Sequence, residues 1–155
     1  MSKKFNLKTG VIGVGSMGQN HARIYYEISN LVAVSDMDGN GIDDIIFGTD
    51  SDNLHVILDS GVSAPNFPVS LSDRIQSEPA VLDINGEKVI LTGCKDNNFY
   101  AINYTDGTLR FLIPTGDDIF TSPSFNDEYI YFGSDDGNVY AVDYNGNLVD
   151  GYPLV

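Results

Sequence analysis

The segment Ile130-Tyr-Phe-Gly-Ser-Asp-Asp-Gly-Asn-Val-Tyr-Ala-Val142 indicates the fold, because two other segments of the chain repeat its pattern. They are Ile45-Ile-Phe-Gly-Thr-Asp-Ser-Asp-Asn-Leu-His-Val-Ile57 and Ile90-Leu-Thr-Gly-Cys-Lys-Asp-Asn-Asn-Phe-Tyr-Ala-Ile102. Each has an apolar run, a glycine, a polar turn and a second apolar run. The glycines lie 45 and 40 residues apart, at positions 48, 93 and 133. Two apolar runs joined by a polar turn predict a β-hairpin.

A further short strand is predicted on each side of every hairpin. The upstream strands are 31–35, 79–83 and 122–125, and the downstream strands are 66–71, 109–114 and 148–155. Four strands in every 40 to 45 residues is the period of a β-propeller blade. The sequence therefore predicts a mainly β protein with about three four-stranded blades, at about 31–71, 78–114 and 121–155. These blades make up a predicted domain over 37–155.

The third repeat also carries a family resemblance. The segment Gly133-Ser-Asp-Asp-Gly-Asn-Val-Tyr-Ala-Val-Asp143 resembles the repeats of pyrroloquinoline-quinone-dehydrogenase-like propellers, and the likeness extends over most of 37–155. Enzymes of that kind have eight blades and a tryptophan-rich cofactor platform. This chain has no tryptophan and one cysteine. The resemblance therefore implies a scaffold or interaction role and no quinone catalysis.

An acidic turn precedes the first hairpin. Asp36, Asp38, Asn40 and Asp44 stand at positions 1, 3, 5 and 9 of this turn, and the Ile42 carbonyl falls at position 7. Alternating oxygen ligands on a curled loop suit calcium, and the turn resembles the calcium loops of FG-GAP-type propeller repeats. A solvated turn without metal is the alternative interpretation, because Asp and Gly favour turns by themselves.

The amino-terminal 36 residues follow a different pattern. A short apolar run enters Gly13-Val-Gly-Ser-Met-Gly18, a helix is predicted over 17–28, and 31–35 is a second strand that ends at Asp36. A glycine-rich loop between strand and helix, with an acid after the next strand, indicates dinucleotide binding. NAD would contact the loop and the acid, which are Gly13, Gly15, Ser16, Met17, Gly18 and Asp36. A tight turn without ligand is the alternative.

Two longer matches extend this interpretation. The segments Gly10-Val-Ile-Gly-Val-Gly-Ser-Met-Gly-Gln-Asn-His-Ala-Arg23 and Leu31-Val-Ala-Val-Ser-Asp36 resemble the start of the glucose–fructose oxidoreductase/inositol dehydrogenase family. The resemblance implies a Rossmann-like β-α-β fragment over 1–36. The family also has a Glu-Lys-Pro segment and a substrate domain, neither of which is present in this sequence. We therefore expect no intact enzyme activity and no required cofactor, although NAD or calcium binding stays open.

Charge divides the chain at the same place. Residues 1–36 carry four basic and two acidic side chains, and the remainder carries four basic and twenty acidic ones, for a net charge of −14. Strand 31–35 can belong either to the β-α-β fragment or to the first blade, so a recombinant or engineered chimera is the favoured origin. Such an acidic surface argues against nucleic acid and anionic membranes.

A lone Cys94 indicates a reducing compartment, so we expect a cytoplasmic protein. Three blades do not close a ring, and we expect a homodimer with six blades in total.

Overall fold

The computed structural model describes residues 32–155, and these residues form three antiparallel sheets. The expectation of a mainly β protein is confirmed, and no helix occurs between 32 and 155. The Rossmann-like fragment predicted over 1–36 lies outside the described residues except for 32–36. Its glycine loop and its predicted helix therefore stay predictions.

The first sheet contains four strands in chain order, and we call it blade 1. Its strands are β1 (Val32–Ser35), β2 (Asp44–Gly48), β3 (Asn53–Ile57) and β4 (Val69–Ser70). Segment 31–35, which two interpretations claim, thus supplies the first strand of this sheet from Val32 onward. Val34 pairs with Ile45 across β1 and β2.

Two further sheets follow in the same order. Blade 2 consists of β5 (Ala80–Ile84), β6 (Glu87–Gly93), β7 (Asn98–Asn103) and β8 (Leu109–Pro114). Blade 3 consists of β9 (Ser124–Phe125), β10 (Tyr129–Gly133) and β11 (Val139–Asp143). In every blade the repeated hairpin is formed by the second and third strands, as the repeat predicts.

The outer strands differ from the prediction in two blades. In blade 1, pairing starts only at Val69, because Pro68 has no N–H to donate to a sheet. In blade 3, the predicted strand 148–155 makes only isolated bridges through Leu148 and Leu154. Between those bridges the Tyr152 N–H donates to the Val149 carbonyl, so the chain turns there instead of continuing as a strand.

Two apolar clusters hold the three blades together. Alternate residues of a strand point to opposite faces of its sheet, so blade 2 contributes to both clusters. Ile90 and Ile102 pack with blade 1, whereas Leu91 and Phe99 pack with blade 3. The blades therefore stack face to face in chain order, with blade 2 in the middle.

Candidate functional site

The structure brings three of the predicted metal ligands together between β1 and β2. One carboxylate oxygen from each of Asp36, Asp38 and Asp44 lies within 4.8 Å of the other two. Asp38 is exposed, Asp36 is half-buried and Asp44 is fully buried. Because carboxylate oxygens are the ligands that calcium prefers, this loop is the best candidate site among residues 32–155.

Asp36 organises the loop through backbone hydrogen bonds. Its Oδ1 accepts from the N–H groups of Gly39 (2.7 Å) and Asn40 (3.1 Å), and its Oδ2 accepts from Gly41 (2.9 Å). These bonds, led by the one from Gly41, hold the pKa of the Asp36 carboxyl below its ordinary value. Gly39 and Gly41 adopt φ angles of +83° and +89°, which side chains disfavour and which the curl of the loop requires.

Asp44 fixes the loop to the rest of blade 1. Its carboxylate accepts hydrogen bonds from the N–H groups of Met37 (2.7 Å) and Asp59 (2.8 Å). A buried carboxylate is costly unless it is hydrogen-bonded, and these two donors satisfy it. Asp44 therefore ties the start of the loop to the end of β3.

The side chain of Asn40 is already used in hydrogen bonds, one of them with the Ile42 N–H. The side-chain amide of Asn40 donates to Asp38 (3.2 Å) and Asp59 (3.1 Å), and its oxygen accepts from the Ile42 N–H (2.8 Å). The Asn40 oxygen is thus used inside the loop. The arrangement presents three carboxylates at one point on a loop that its own hydrogen bonds already hold in shape.

Of the residues predicted to contact NAD, only Asp36 lies among the described residues. Gly13, Gly15, Ser16, Met17 and Gly18 lie outside the described residues. Asp36 is described, and its two oxygens accept the three backbone bonds of the turn. NAD binding stays a prediction.

The joints between blades contain a repeated contact between a glycine and an isoleucine, which the hairpin pattern does not predict. A Cβ added to Gly48 would lie 2.8 Å from the carbonyl oxygen of Ile75, and one added to Gly93 would lie 2.8 Å from that of Ile119. Each isoleucine belongs to the segment leading into the next blade. The two isoleucines are 44 residues apart and each precedes a hydroxyl residue by two positions, so the repeat spacing contained the signal.

Those hydroxyl residues anchor the segments. Ser77 Oγ accepts from the Gly93 N–H (2.8 Å) and donates to the Gly93 carbonyl (3.0 Å). Thr121 Oγ1 makes the same pair of bonds with Gly133, at 2.9 and 2.7 Å. Blades 2 and 3 thus each bind their own leading segment through a glycine on the second strand.

Side chains that resemble catalytic groups have structural partners here. Asp136 accepts a hydrogen bond from the Tyr140 hydroxyl at 2.6 Å, and Asp96 accepts one from Tyr100 at the same place in blade 2. The bond from Tyr140 is the main cause that lowers the pKa of Asp136 to about 2. Cys94 is buried, and burial raises the pKa of its thiol to about 11, so the thiolate is disfavoured at neutral pH.

Comparison with known proteins bears on this architecture. No protein-family model matches the chain, and no curated protein matches it. Among solved structures, it is similar to BamB from Moraxella catarrhalis at a TM-score of 0.61 and 14% identity. It is also similar to BBS1N, solved in complex with ARL6DN, at a TM-score of 0.60 and 15% identity. Both are β-propellers.

The described residues have a β-propeller fold. The matches cover 80% and 76% of this chain but only 34% and 37% of BamB and BBS1N, so the chain spans about a third of those proteins. The expected propeller resemblance is confirmed at the level of fold. None of the described residues forms a helix long and apolar enough to cross a membrane.

Proposed function

We propose that this chain is a β-propeller-type structural or binding module without catalytic activity of its own. The observation that carries the proposal is that each end blade has only one face covered by another blade within residues 32–155. Only the middle blade has both faces covered by other blades. A propeller blade buries its faces against its neighbours, so the two end blades offer apolar surface for association.

The partner that we propose is a second copy of the chain. Two copies would supply six blades, a number that propellers commonly use, and a twofold axis would relate them. Sedimentation equilibrium over a range of concentrations tests this proposal. We expect a particle of twice the 16.9 kDa chain mass, and a single-chain mass at every concentration would overturn it.

The proposal includes a chimeric origin for residues 1–36, with residual NAD binding as its alternative. Thermal unfolding with and without NAD separates the two. Binding to the native state alone raises the unfolding midpoint by mass action. An unchanged midpoint at millimolar NAD supports the chimera without cofactor, and a midpoint that rises with NAD concentration supports the residual site.

Calcium stabilisation is a second candidate, favoured by the convergence of Asp36, Asp38 and Asp44. Calcium at ten times its dissociation constant would stabilise the native state by about 1.4 kcal/mol. The variant Asp38→Asn should reduce that gain, because it takes one negative charge from the site and keeps an oxygen that can accept from the Asn40 N–H.

The control for this test is Asp127→Asn, in the equivalent turn of blade 3. It makes the same change of charge on an exposed side chain outside the candidate site. We expect calcium to stabilise the unmodified chain and the control equally. If calcium leaves all three midpoints unchanged, the loop is a turn stabilised by its own hydrogen bonds.

A further inference from the structure

We propose that the outer face of blade 3 binds the outer face of blade 1 of a second copy, in the register that joins blade 3 to blade 2. This inference rests on the proposed self-association and specifies which surfaces meet. It follows from the repeat, because the two outer faces carry the two halves of a contact that the chain already makes internally.

The first half is the surface that a blade offers to the blade after it. At the centre of this surface is the residue that pairs with the repeated glycine of the second strand. Gly48 pairs with Leu54, Gly93 with Phe99, and Gly133 with Val139. Leu54 and Phe99 are fully buried by the next blade, whereas Val139 is 48% exposed.

Gly133, like Val139, has no contact with a following blade among residues 32–155. Gly48 and Gly93 each lie against an isoleucine of the following segment, so neither has room for a side chain. The nearest atom to a Cβ at Gly133 would be Cγ2 of Thr121, at 3.2 Å, in the segment that leads into the same blade. Among residues 32–155, no isoleucine occupies this position on blade 3.

The second half is the surface that a blade offers to the blade before it. In blade 2 it includes the row Val81, Ile90 and Ile102, which packs against blade 1. The equivalent row in blade 1 is Val34, Ile45 and Ile57. Val34 is 51% exposed, and the other two side chains of this row are half-buried.

An aromatic pair repeats on the same surface. In blade 3, Phe132 stacks on Tyr140 (5.1 Å between ring centroids) and on Phe99 of blade 2 (4.0 Å). In blade 1 the equivalent pair is Phe47 and His55, stacked at 4.9 Å. Burial lowers the pKa of His55, so its ring is neutral at pH 7 as an apolar contact requires. By this repeat, Phe47, which is 8% exposed in its own chain, lies on the face that meets Val139 of the other copy.

Because the two surfaces are different, each copy contributes both of them, and two copies related by a twofold axis form two identical contacts. This property gives a sharp test with the variants Val139→Glu and Val34→Glu. Each would bury an unpaired carboxylate in both contacts. We expect each to weaken self-association by about 100-fold or more, as measured by sedimentation equilibrium.

A 1:1 mixture of the two variants should form a pair held by one contact, weaker than the unmodified pair but tighter than either variant alone. The contact that would carry both carboxylates is expected to stay open. In the mixed pair, the unmodified blade 3 of one copy meets the unmodified blade 1 of the other, so one contact is free of both changes. The matched control is Val62→Glu, which adds the same charge at a valine that is 57% exposed on a loop. We expect this control to associate as the unmodified chain does.

Recovery in the mixture also shows that both variants are folded. If Val34→Glu alone associates normally, like surfaces meet and the paired-face inference is wrong, although self-association stands. If the mixture associates no more tightly than either variant alone, while each variant keeps the circular dichroism of the unmodified chain, the inference is equally wrong. A monomeric unmodified chain would overturn both the inference and the proposed self-association.

Discussion

The backbone of Ile119 lies so close to Gly93 that the joint between two blades has no room for a side chain there. An added Cβ would lie 2.8 Å from the backbone oxygen of Ile119, which no side-chain rotation can relieve. We expect Gly93→Ala to lower the free energy of unfolding by about 1–3 kcal/mol, as for other overpacked interiors. Urea unfolding measures this, with Gly133→Ala as the control because its nearest neighbour is a side-chain methyl at 3.2 Å. Equal losses in the two variants would contradict the close contact.

The hydrogen bond from Tyr140 to Asp136 makes the stability of the fold depend on pH in the acid range. Its folded pKa of about 2 lies below its ordinary value of 3.8, mainly because the Tyr140 hydroxyl donates to it. A lowered carboxyl pKa stabilises the native state fully above about pH 4, and this stabilisation is lost as the pH falls towards 2. We expect Tyr140→Phe to flatten the fall in stability over this window. Urea unfolding at pH 5, 4, 3 and 2.5 tests this, and an unchanged slope would contradict it.

At the scale of the element, the contact between blades 2 and 3 depends on stacked aromatic rings. Phe99 is fully buried, and its ring lies parallel to that of Phe132 at 4.0 Å. We expect Phe99→Ala to lower the free energy of unfolding by about 3–5 kcal/mol. Phe125→Ala, at an exposed ring of β9, should cost less than about 1 kcal/mol. Similar losses in urea unfolding for both variants would show that the blades do not stack as described.

The repeat explains why the hairpins and the outer strand of blade 2 could be predicted, whereas the outer strands of blades 1 and 3 could be predicted only in part. Glycine, turn and alternating apolar residues are local signals, and they define β2–β3, β6–β7 and β10–β11. An outer strand depends on the loop that returns the chain to the hairpin, which has no repeated pattern. Its pattern does not show that Pro68 delays pairing or that the chain turns between Val149 and Tyr152.

The acidic loop shows the same limit at a candidate site. Spacing alone predicts that Asp36, Asp38 and Asp44 converge, and the structure brings their oxygens within 4.8 Å of one another. Spacing does not reveal that Asn40 turns its oxygen towards Ile42, because that depends on the fold of the loop. The two joints, one formed by Ile75 and one by Ile119, could be recognised in the sequence only as a second repeat, offset from the hairpins.

At the scale of the whole molecule, net charge opposes the association that the open faces favour. Each chain carries a net charge of −14, so two chains repel each other most at low ionic strength. Salt shortens the range of this repulsion from about 30 Å at 0.01 M to about 8 Å at 0.15 M. We expect the dissociation constant to fall as sodium chloride rises over this range. A constant that rises with salt would indicate that ion pairs hold the copies together instead.

Sedimentation equilibrium of the unmodified chain, from micromolar to millimolar concentration at 0.15 M salt, distinguishes a pair of chains from a single chain. Face-to-face stacking of blades with two open ends predicts a reversible equilibrium that approaches twice the 16.9 kDa chain mass. A mass of one chain throughout the range would show that the end blades are not surfaces for a second copy.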